Sequence, residues 1–271
     1  MLPNNVFSIQ LWSTRGATPL AEQFGYLKSC GYGDVQPYHD QCDNPAVMRA
    51  LLDEHMLTAR SGHFTLAMFE TALDDIVNAA HTIGMDLVVA PWIDPDERPK
   101  DRESWSVFGR RLSRLSRQLA QEGLRFAWHN HEFEFELLPD GSFGIEHALG
   151  EDVLLELDLG WLFKAGQDPL IWLERYKGRL PAVHVKDVSA PNTNPEEMDF
   201  ADVGAGIMDW PGYWQAAVEA GAELMVAEHD APSDWRRFAR VSAVAMRRLA
   251  GSKEGQVVAD CPGFPRSADQ L

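Results

Sequence analysis

Side chains of the types that bind divalent metals recur in the second half of this chain, wherever an apolar run ends. They are accompanied by one lysine, and the whole set is His129, His131, Glu134, Asp158, His184, Lys186, Glu228 and Asp230. Imidazole and carboxylate together suit Mn²⁺, Co²⁺, Zn²⁺ or Fe²⁺. If the apolar runs are parallel strands of one barrel, their carboxyl ends converge on a single mouth, and these residues become one candidate site.

The segment 128–135, which reads WHNHEFEF, is the most specific of these strand ends. In a strand, His129 and His131 point to the same side because side chains alternate, and Glu134 can fold back from the loop beyond. A hydrogen-bonded polar plug at the barrel mouth would use the same residue types. Two histidines with acids at one strand end nevertheless favour a functional role.

Other strand ends offer further roles. Asp158 either caps the following turn or binds a metal, and the other candidate ligands at neighbouring strand ends favour metal binding. Lys186 cannot ligate while protonated, so we expect it to contact an oxyanion or the substrate, or to act as an acid or base if burial lowers its pKa. His63 and Trp161 could line a sugar-sized pocket, although core packing explains the tryptophan about as well. Glu156 would lie one layer deeper than Asp158 or point outward, so we leave it out of the predicted site.

The order of elements predicts the scaffold that would position these residues. Strand-like and helical segments alternate eight times, and residues 87–89 are apolar without alternation, as in parallel strands covered on both faces. This pattern predicts an α/β fold, a (β/α)8 TIM barrel. A doubly wound open sheet is the alternative, but neither GxGxxG nor GxxxxGK[ST] follows any strand. The expected strands are Val6–Trp12, Asp34–Gln36, Thr58–His63, Asp86–Ala90, Leu124–His131, Val153–Asp158, Ala182–Val185 and Glu223–Glu228.

Length and charge limit the classes of protein that fit. The 271 residues suit a single TIM-barrel domain over residues 1–250, with a tail over 251–271 that packs on the barrel or on a neighbouring subunit, or else is disordered. A homo-oligomer is compatible with that tail. With 24 Lys and Arg against 41 Asp and Glu, the formal net charge is −17. We therefore expect neither nucleic acid nor an anionic membrane as a partner.

Further features indicate the cellular setting and a candidate lid. The three cysteines form no CxxC pair, which fits reduced thiols, and residues 1–5 lack the features of a signal peptide. We therefore expect a cytoplasmic location. Residues 188–206 form the longest expected loop, directly after a strand rich in candidate ligands, and are predicted to be part of a lid.

Together these segments resemble the xylose isomerase-like TIM barrels. This is the sugar phosphate isomerase/epimerase superfamily, which includes inosose dehydratases and ketose 3-epimerases. The resemblance runs from about residue 6 to residue 250 and rests on five motifs. They are WHNH with Glu134-Phe135, ELDLGW at 156–161 with Ala165-Gly166 and Asp168-Pro169, HVKD at 184–187, VGAGI at 203–207 with Asp209-Trp210, and EHD at 228–230.

The resemblance implies one divalent metal ion (Mn, Co, Mg, Zn or Fe), held by a Glu, an Asp, a His and a Glu on the last four strands. Asp158, His184 and Glu228 match three of these ligands. Relatives with Glu-x-His on the fifth strand have the expected carboxylate where this chain has His129. Either His129 ligates in its place or Glu134 folds back to restore the acid, and we favour Glu134.

The resemblance also implies the chemistry, a sugar or keto-sugar isomerase or epimerase that removes an α-proton and passes through a metal-stabilised enediolate. His131 or Glu134 would move the proton and Lys186 would face the oxyanion, while His63, His129 and Trp161 would bind the small-molecule sugar. The alternative is a lyase or dehydratase acting on an inosose or 3-keto-sugar. An abasic-site endonuclease is disfavoured by the net charge, and a non-enzymatic binding barrel is a further alternative.

Overall fold

The computed structural model describes residues 6–251. The predicted tail covers residues 251–271, and residues 252–271, Cys261 included, lie outside the described residues. The strands are β1 Val6–Ile9, β2 Ser61–His63, β3 Leu87–Ala90, β4 Arg125–His129, β5 Leu154–Asp158, β6 Ala182–Val185, β7 Asp187–Val188, β8 Phe200–Ala201 and β9 Leu224–Ala227. The α-helices are α1 Leu20–Ser29, α2 Pro45–Glu54, α3 Leu66–Thr71, α4 Leu73–Ile83, α5 Arg102–Gln121, α6 Gly144–Leu149, α7 Leu159–Lys164, α8 Pro169–Arg175, α9 Trp210–Ala220 and α10 Trp235–Leu249.

Seven of the strands form one parallel sheet, in the order β1-β9-β6-β5-β4-β3-β2. The space between β2 and β1 is filled by the chain from Asp34 to Tyr38, which makes isolated bridges to both neighbours. There the Gln36 N–H donates to the carbonyl of Ile9, and the Gln36 carbonyl accepts from the N–H of Leu11, both at 2.9 Å. The sheet closes on itself, which confirms the predicted (β/α)8 TIM barrel.

The second predicted strand, Asp34–Gln36, is therefore in its expected place but is not a regular ladder strand. Pro37 follows it directly and has no N–H to donate, so the ladder cannot continue there. Tyr38 restores one bridge to β2 through His63. The side chain of Gln36 is fully buried inside the barrel, where it takes part in the polar network described below.

Two helices begin with a side-chain cap followed by a proline. The side chain of Asn44 accepts from the N–H of Val47 at the start of α2, and that of Asp168 accepts from the N–H of Leu170 at the start of α8. Each is followed by a proline at the first helical position, where the missing N–H costs nothing. Within residues 6–251, no helix combines the length and the hydropathy needed to cross a bilayer.

Charged side chains close the end of the barrel opposite the candidate site. Arg125 lies 2.6 Å from Glu223 and 2.8 Å from Asp86, and Arg60 lies 2.8 Å from Glu223. Nearby, the buried carboxylate of Asp34 accepts hydrogen bonds from the Ser8 and Thr58 hydroxyls and from the Arg60 N–H. Because residues at the amino ends of barrel strands serve stability, we assign these contacts a structural role.

The segment predicted as a lid has secondary structure of its own. Strands β7 and β8 pair antiparallel, and one carboxylate, that of Asp187, accepts the backbone N–H groups of Val188, Gly204, Gly206 and Met208. This carboxylate fixes both ends of the segment on the end of β6. Met198 in the middle reaches the wall of the main cleft. Whether the segment opens and closes stays a prediction.

The first prediction concerns Asp34, whose pKa burial raises from 3.8 to about 6 despite its hydrogen bonds. The folded chain binds this proton more tightly than the unfolded chain. The free energy of unfolding should therefore fall by about 2 kcal/mol as the pH rises from 4 to 6. In Asp34→Asn this fall of the unfolding free energy with pH should be absent, as measured by urea unfolding between pH 4 and 7. An unchanged pH dependence in this variant would contradict the assignment. The exposed change Asp74→Asn is the control for net charge.

Candidate metal and substrate site

A cleft of about 840 Å³ opens at the carboxyl ends of the barrel strands. Its volume falls in the usual range for small-molecule sites. Aromatic side chains form much of its wall, and the rings of Trp12 and Tyr38 pack edge to face on one side while Trp92 packs on His131 on another. The floor is polar and contains His63, His129, His131, Glu228 and Asp230.

Four buried side chains at the ends of β4, β5, β6 and β9 form what we call the mouth group: His129, Asp158, His184 and Glu228. One ligand atom from each lies within 4.8 Å of those of the other three. His184 Nδ1 is 2.6 Å from Glu228 Oε2 and 3.7 Å from Asp158 Oδ2, and His129 Nε2 is 4.0 Å from the same Asp158 oxygen. The barrel thus brings together the three residues predicted as ligands, Asp158, His184 and Glu228, and adds His129.

The mouth group fits a divalent cation by its charge and by its unused acceptor. Three carboxylates are buried here, those of Glu156, Asp158 and Glu228, and that of Asp230 is partly buried beside them. Among the described residues, the cations that meet them are Lys186 and His184; burial alone would lower the pKa of His184, but Glu156 and Glu228 raise it, and the carboxylates still outnumber the two cations. Buried charge of one sign is costly unless it is compensated, and a dication would supply the compensation. Asp158 Oδ2 in addition accepts no hydrogen bond, although Lys186 Nζ lies 2.9 Å away.

Lys186 is fully buried and ion-paired on several sides. Its Nζ lies 2.9 Å from Asp158, 2.9 Å from Glu228 and 2.8 Å from Asp230. Burial alone would lower the pKa of this amine, but the three carboxylates outweigh burial and raise it. The idea that burial makes Lys186 an acid or base is therefore not supported, and the side chain supplies a fixed positive charge beside the mouth group.

Glu134 lies outside the mouth group, although it was the favoured candidate for its fourth ligand. Its Oε1 accepts from Trp128 Nε1 and its Oε2 accepts from the His131 backbone N–H, both at 2.9 Å. Burial raises the pKa of this carboxyl to about 8. Both oxygens are thus engaged in fixing the turn after β4, and His129 is the residue from β4 that reaches the other ligands.

His131 lines the cleft beside the mouth group as a neutral imidazole. Burial lowers the pKa of this ring well below its ordinary value of 6.5, and the nearby His129 and Lys186 act in the same direction. Its Nδ1 is enclosed without a hydrogen-bond partner, which leaves Nε2 as the nitrogen available to the cleft. A neutral ring has a lone pair that can accept a proton, although the lowered pKa makes this imidazole a weaker base than a free one.

The residues predicted to bind substrate are found at the cleft in different settings. Trp161 lines it, and its Nε1–H is enclosed by protein without a hydrogen-bond partner. His63 reaches the cleft but its Nε2 lies 2.5 Å from Glu156 Oε1. His129 lines the cleft and also belongs to the mouth group.

Glu156 is not among the residues predicted from the sequence, and it is fully buried inside the barrel at the level below Asp158. With three histidines it forms a second set that we call the deep group: His63, His129, Glu156 and His184. The available signal was its position, because a residue two before Asp158 in the same strand must share the same face. An acid in the middle of an otherwise apolar strand needs buried partners.

The family follows from comparison with known proteins. The profile of the xylose isomerase-like TIM barrel family matches residues 25–249. The chain therefore belongs to this family and is an enzyme of the xylose isomerase-like superfamily, as its sequence motifs indicate.

Individual relatives are distant. The rhizopine catabolism protein MocC of Rhizobium meliloti is 25% identical over 279 residues, which cover 88% of this chain and 86% of that protein. An inosose dehydratase of Lacticaseibacillus casei is 24% identical over 161 residues, and the match spans about half of each protein, 50% of this chain and 51% of the dehydratase.

Solved structures agree on the fold. A sugar phosphate isomerase/epimerase from Parabacteroides distasonis superposes with a TM-score of 0.77 at 19% identity, covering 92% of this chain and 96% of that one. The IolI protein, crystallised with a bound zinc atom, superposes with a TM-score of 0.73 at 14% identity, covering 91% and 98%. At such identities the likeness establishes the barrel and not the reaction.

The second prediction concerns Gly160 in the first turn of α7. A Cβ at this position would lie 2.7 Å from both the carbonyl oxygen and Cγ of Lys186, so Gly160→Ala must displace the end of β6. We expect this overpacking to cost about 1–3 kcal/mol of unfolding free energy in urea titrations. Gly33→Ala is the matched control, because nothing lies within 4 Å of its Cβ. Equal stability of the two variants would refute the close approach.

Proposed function

We propose that this protein is a divalent-metal-dependent isomerase or epimerase of a sugar or keto-sugar. The observation that carries the proposal is the mouth group, with the neutral ring of His131 on one side and the fixed ammonium of Lys186 on the other. The aromatic walls of the cleft suit the apolar faces of a sugar ring, and the family membership supports a small carbohydrate as the substrate.

The ion would be held by His129, Asp158, His184 and Glu228. This choice takes His129 in place of Glu134, because both oxygens of Glu134 are already used by Trp128 and by the turn after β4. Imidazole and carboxylate ligands suit several divalent ions, among them Zn²⁺, Mn²⁺, Co²⁺ and Fe²⁺. The chemistry that such an ion supplies is Lewis acidity at a substrate carbonyl, which makes the adjacent C–H bond more acidic.

The protein residues would divide the proton transfer between them. His131 takes the α-proton at Nε2, and the electron pair of the broken C–H bond moves onto the carbonyl oxygen to give an enediolate. The positive charge of Lys186 stabilises the negative charge that develops there. Glu134 holds the His131 backbone and so positions the base, and the Trp161 ring forms part of the cleft wall against which a sugar can pack.

A lyase or dehydratase acting on an inosose or 3-keto-sugar is the second candidate. The names of the relatives favour it, since an inosose dehydratase is among them. The first step, removal of the α-proton, is the same in both candidates. Return of the proton to the other carbon gives the isomer, and return to the opposite face of the same carbon gives the epimer. Loss of a β-hydroxyl from the enediolate instead eliminates water. Products separate the two candidates, because elimination gives a conjugated enone that absorbs in the ultraviolet.

The third prediction tests the ligands. Asp158→Asn and Glu228→Gln should each lose bound divalent ion, measured by elemental analysis after dialysis against Zn²⁺, because each removes a formal negative charge from the ion's surroundings. Glu134→Gln is the matched contrast and should retain the ion. Full occupancy in the first two variants would refute the assignment, and loss of the ion in Glu134→Gln alone would restore Glu134 as a ligand.

The fourth prediction tests the base. In D₂O, with a keto-sugar that the enzyme turns over, solvent deuterium should appear at the α-carbon, and His131→Ala should slow this exchange by about 10²–10⁴-fold. His81→Ala, an exposed change on α4, should leave the rate unchanged. Lys186→Met should also slow exchange, because it removes the charge that faces the developing oxyanion. Unchanged exchange in folded His131→Ala would exclude this ring as the base.

A further inference from the structure

The deep group is built around the carboxylate of Glu156. Its Oε1 lies 2.5 Å from His63 Nε2, 2.9 Å from His184 Nε2 and 3.5 Å from His129 Nδ1. Its Oε2 accepts a hydrogen bond of 2.6 Å from the side-chain amide of Gln36. One carboxylate that is fully enclosed by protein therefore faces three imidazoles and one amide.

His129 and His184 belong to both groups, and each ring presents one nitrogen to the mouth group and the other to the deep group. His184 points Nδ1 at Glu228 and Asp158 in the mouth group, and its Nε2 at Glu156. His129 points Nε2 toward Asp158 and Nδ1 toward Glu156. Glu156 thus lies on the far side of both rings from the mouth group.

The surroundings of His184 Nε2 decide where the ring carries its proton. Two acceptor oxygens, Glu156 Oε1 and Gln36 Oε1, each lie 2.9 Å from this nitrogen. A nitrogen between two acceptors must be a donor, so Nε2 carries hydrogen. Nδ1 faces the Glu228 carboxylate at 2.6 Å, and an ion bound in the mouth group would take the place of the proton on that nitrogen. Gln36 is held in this orientation by donating to Glu156 and Ser61 and by accepting from Gln10.

We infer that Glu156 is a positioning residue for the metal ligands. Its carboxylate, together with the Gln36 amide that it holds, keeps the proton of His184 on Nε2 and presents Nδ1 to the mouth group. The same carboxylate faces the inner nitrogen of His129. Carboxylates behind ligating histidines fix the tautomer and raise the basicity of the ring, and their loss typically weakens metal binding 10–100-fold. This inference rests on the proposed function, in that the mouth group must bind an ion.

A second ion in the deep group is the competing interpretation. Both oxygens of Glu156 are already engaged by protein donors, those of His63 and Gln36. Two ions at once would also require His129 and His184 to lose both ring protons and bridge as imidazolates, since each ring turns one nitrogen to each group. The arrangement therefore favours one ion above a hydrogen-bonded carboxylate.

The experiment measures Zn²⁺ binding to the full chain by competition with a chelator and by elemental analysis. Wild type should bind one ion per chain, and Glu156→Gln should bind one ion 10–100-fold more weakly. Asp34→Asn is the matched control: it makes the same change to a buried carboxylate at the other end of the barrel and should leave the affinity unchanged. If Glu156→Gln does not fold, Glu156→Asp, which keeps the charge but withdraws it from the imidazoles, should also weaken binding.

A spectroscopic measurement separates positioning from general stability. In ¹⁵N-histidine spectra of the Zn²⁺-loaded wild type, His184 should carry its proton on Nε2 with Nδ1 bound to the ion, and Glu156→Gln should weaken or shift that Nε2–H signal. Equal affinity of wild type and Glu156→Gln would overturn the inference, as would two ions in wild type and one in the variant. A wild type that binds no Zn²⁺ would instead overturn the proposed function.

Discussion

Negative charge concentrated inside the barrel mouth is the constraint on which the rest of the site depends. Glu156, Asp158, Glu228 and Asp230 are brought together in a volume from which most solvent is excluded, and burying such charges is costly unless cations or donors meet them. Lys186 meets three of these carboxylates. Imidazole rings meet Glu156, and the space that is left suits a divalent cation.

The arrangement works in two layers because of the strand geometry. Residues two apart in a strand share a face and differ by about 6.5 Å in height, so Glu156 lies one level below Asp158 on β5. Imidazole is the side chain that can join two such layers, since it has a nitrogen on each side of the ring. His129 and His184 take this place: their inner nitrogens face Glu156, and their outer nitrogens are the ones that we propose as metal ligands.

The irregular second strand contributes a side chain to the same polar network. Gln36 stands where the ladder is interrupted before Pro37, and its amide joins Gln10 and Ser61 to Glu156 and His184. The segment after β6 is likewise tied down by a single buried carboxylate, that of Asp187. The walls of the cleft are thus fixed by hydrogen bonds of individual acids, while the barrel itself is fixed by apolar strands.

The sequence by itself determined the barrel, because alternation of apolar strands and capped helices is a local property of the chain. It also identified Asp158, His184 and Glu228 as neighbours, since strand ends converge in any such barrel. The tertiary structure alone decided between His129 and Glu134. Both are close in sequence to the site, but the Trp128 indole and the His131 N–H engage the glutamate. Strand parity puts Glu156 on the same face as Asp158, but only the closed barrel shows which side chains surround it at that depth, namely three imidazoles and the Gln36 amide.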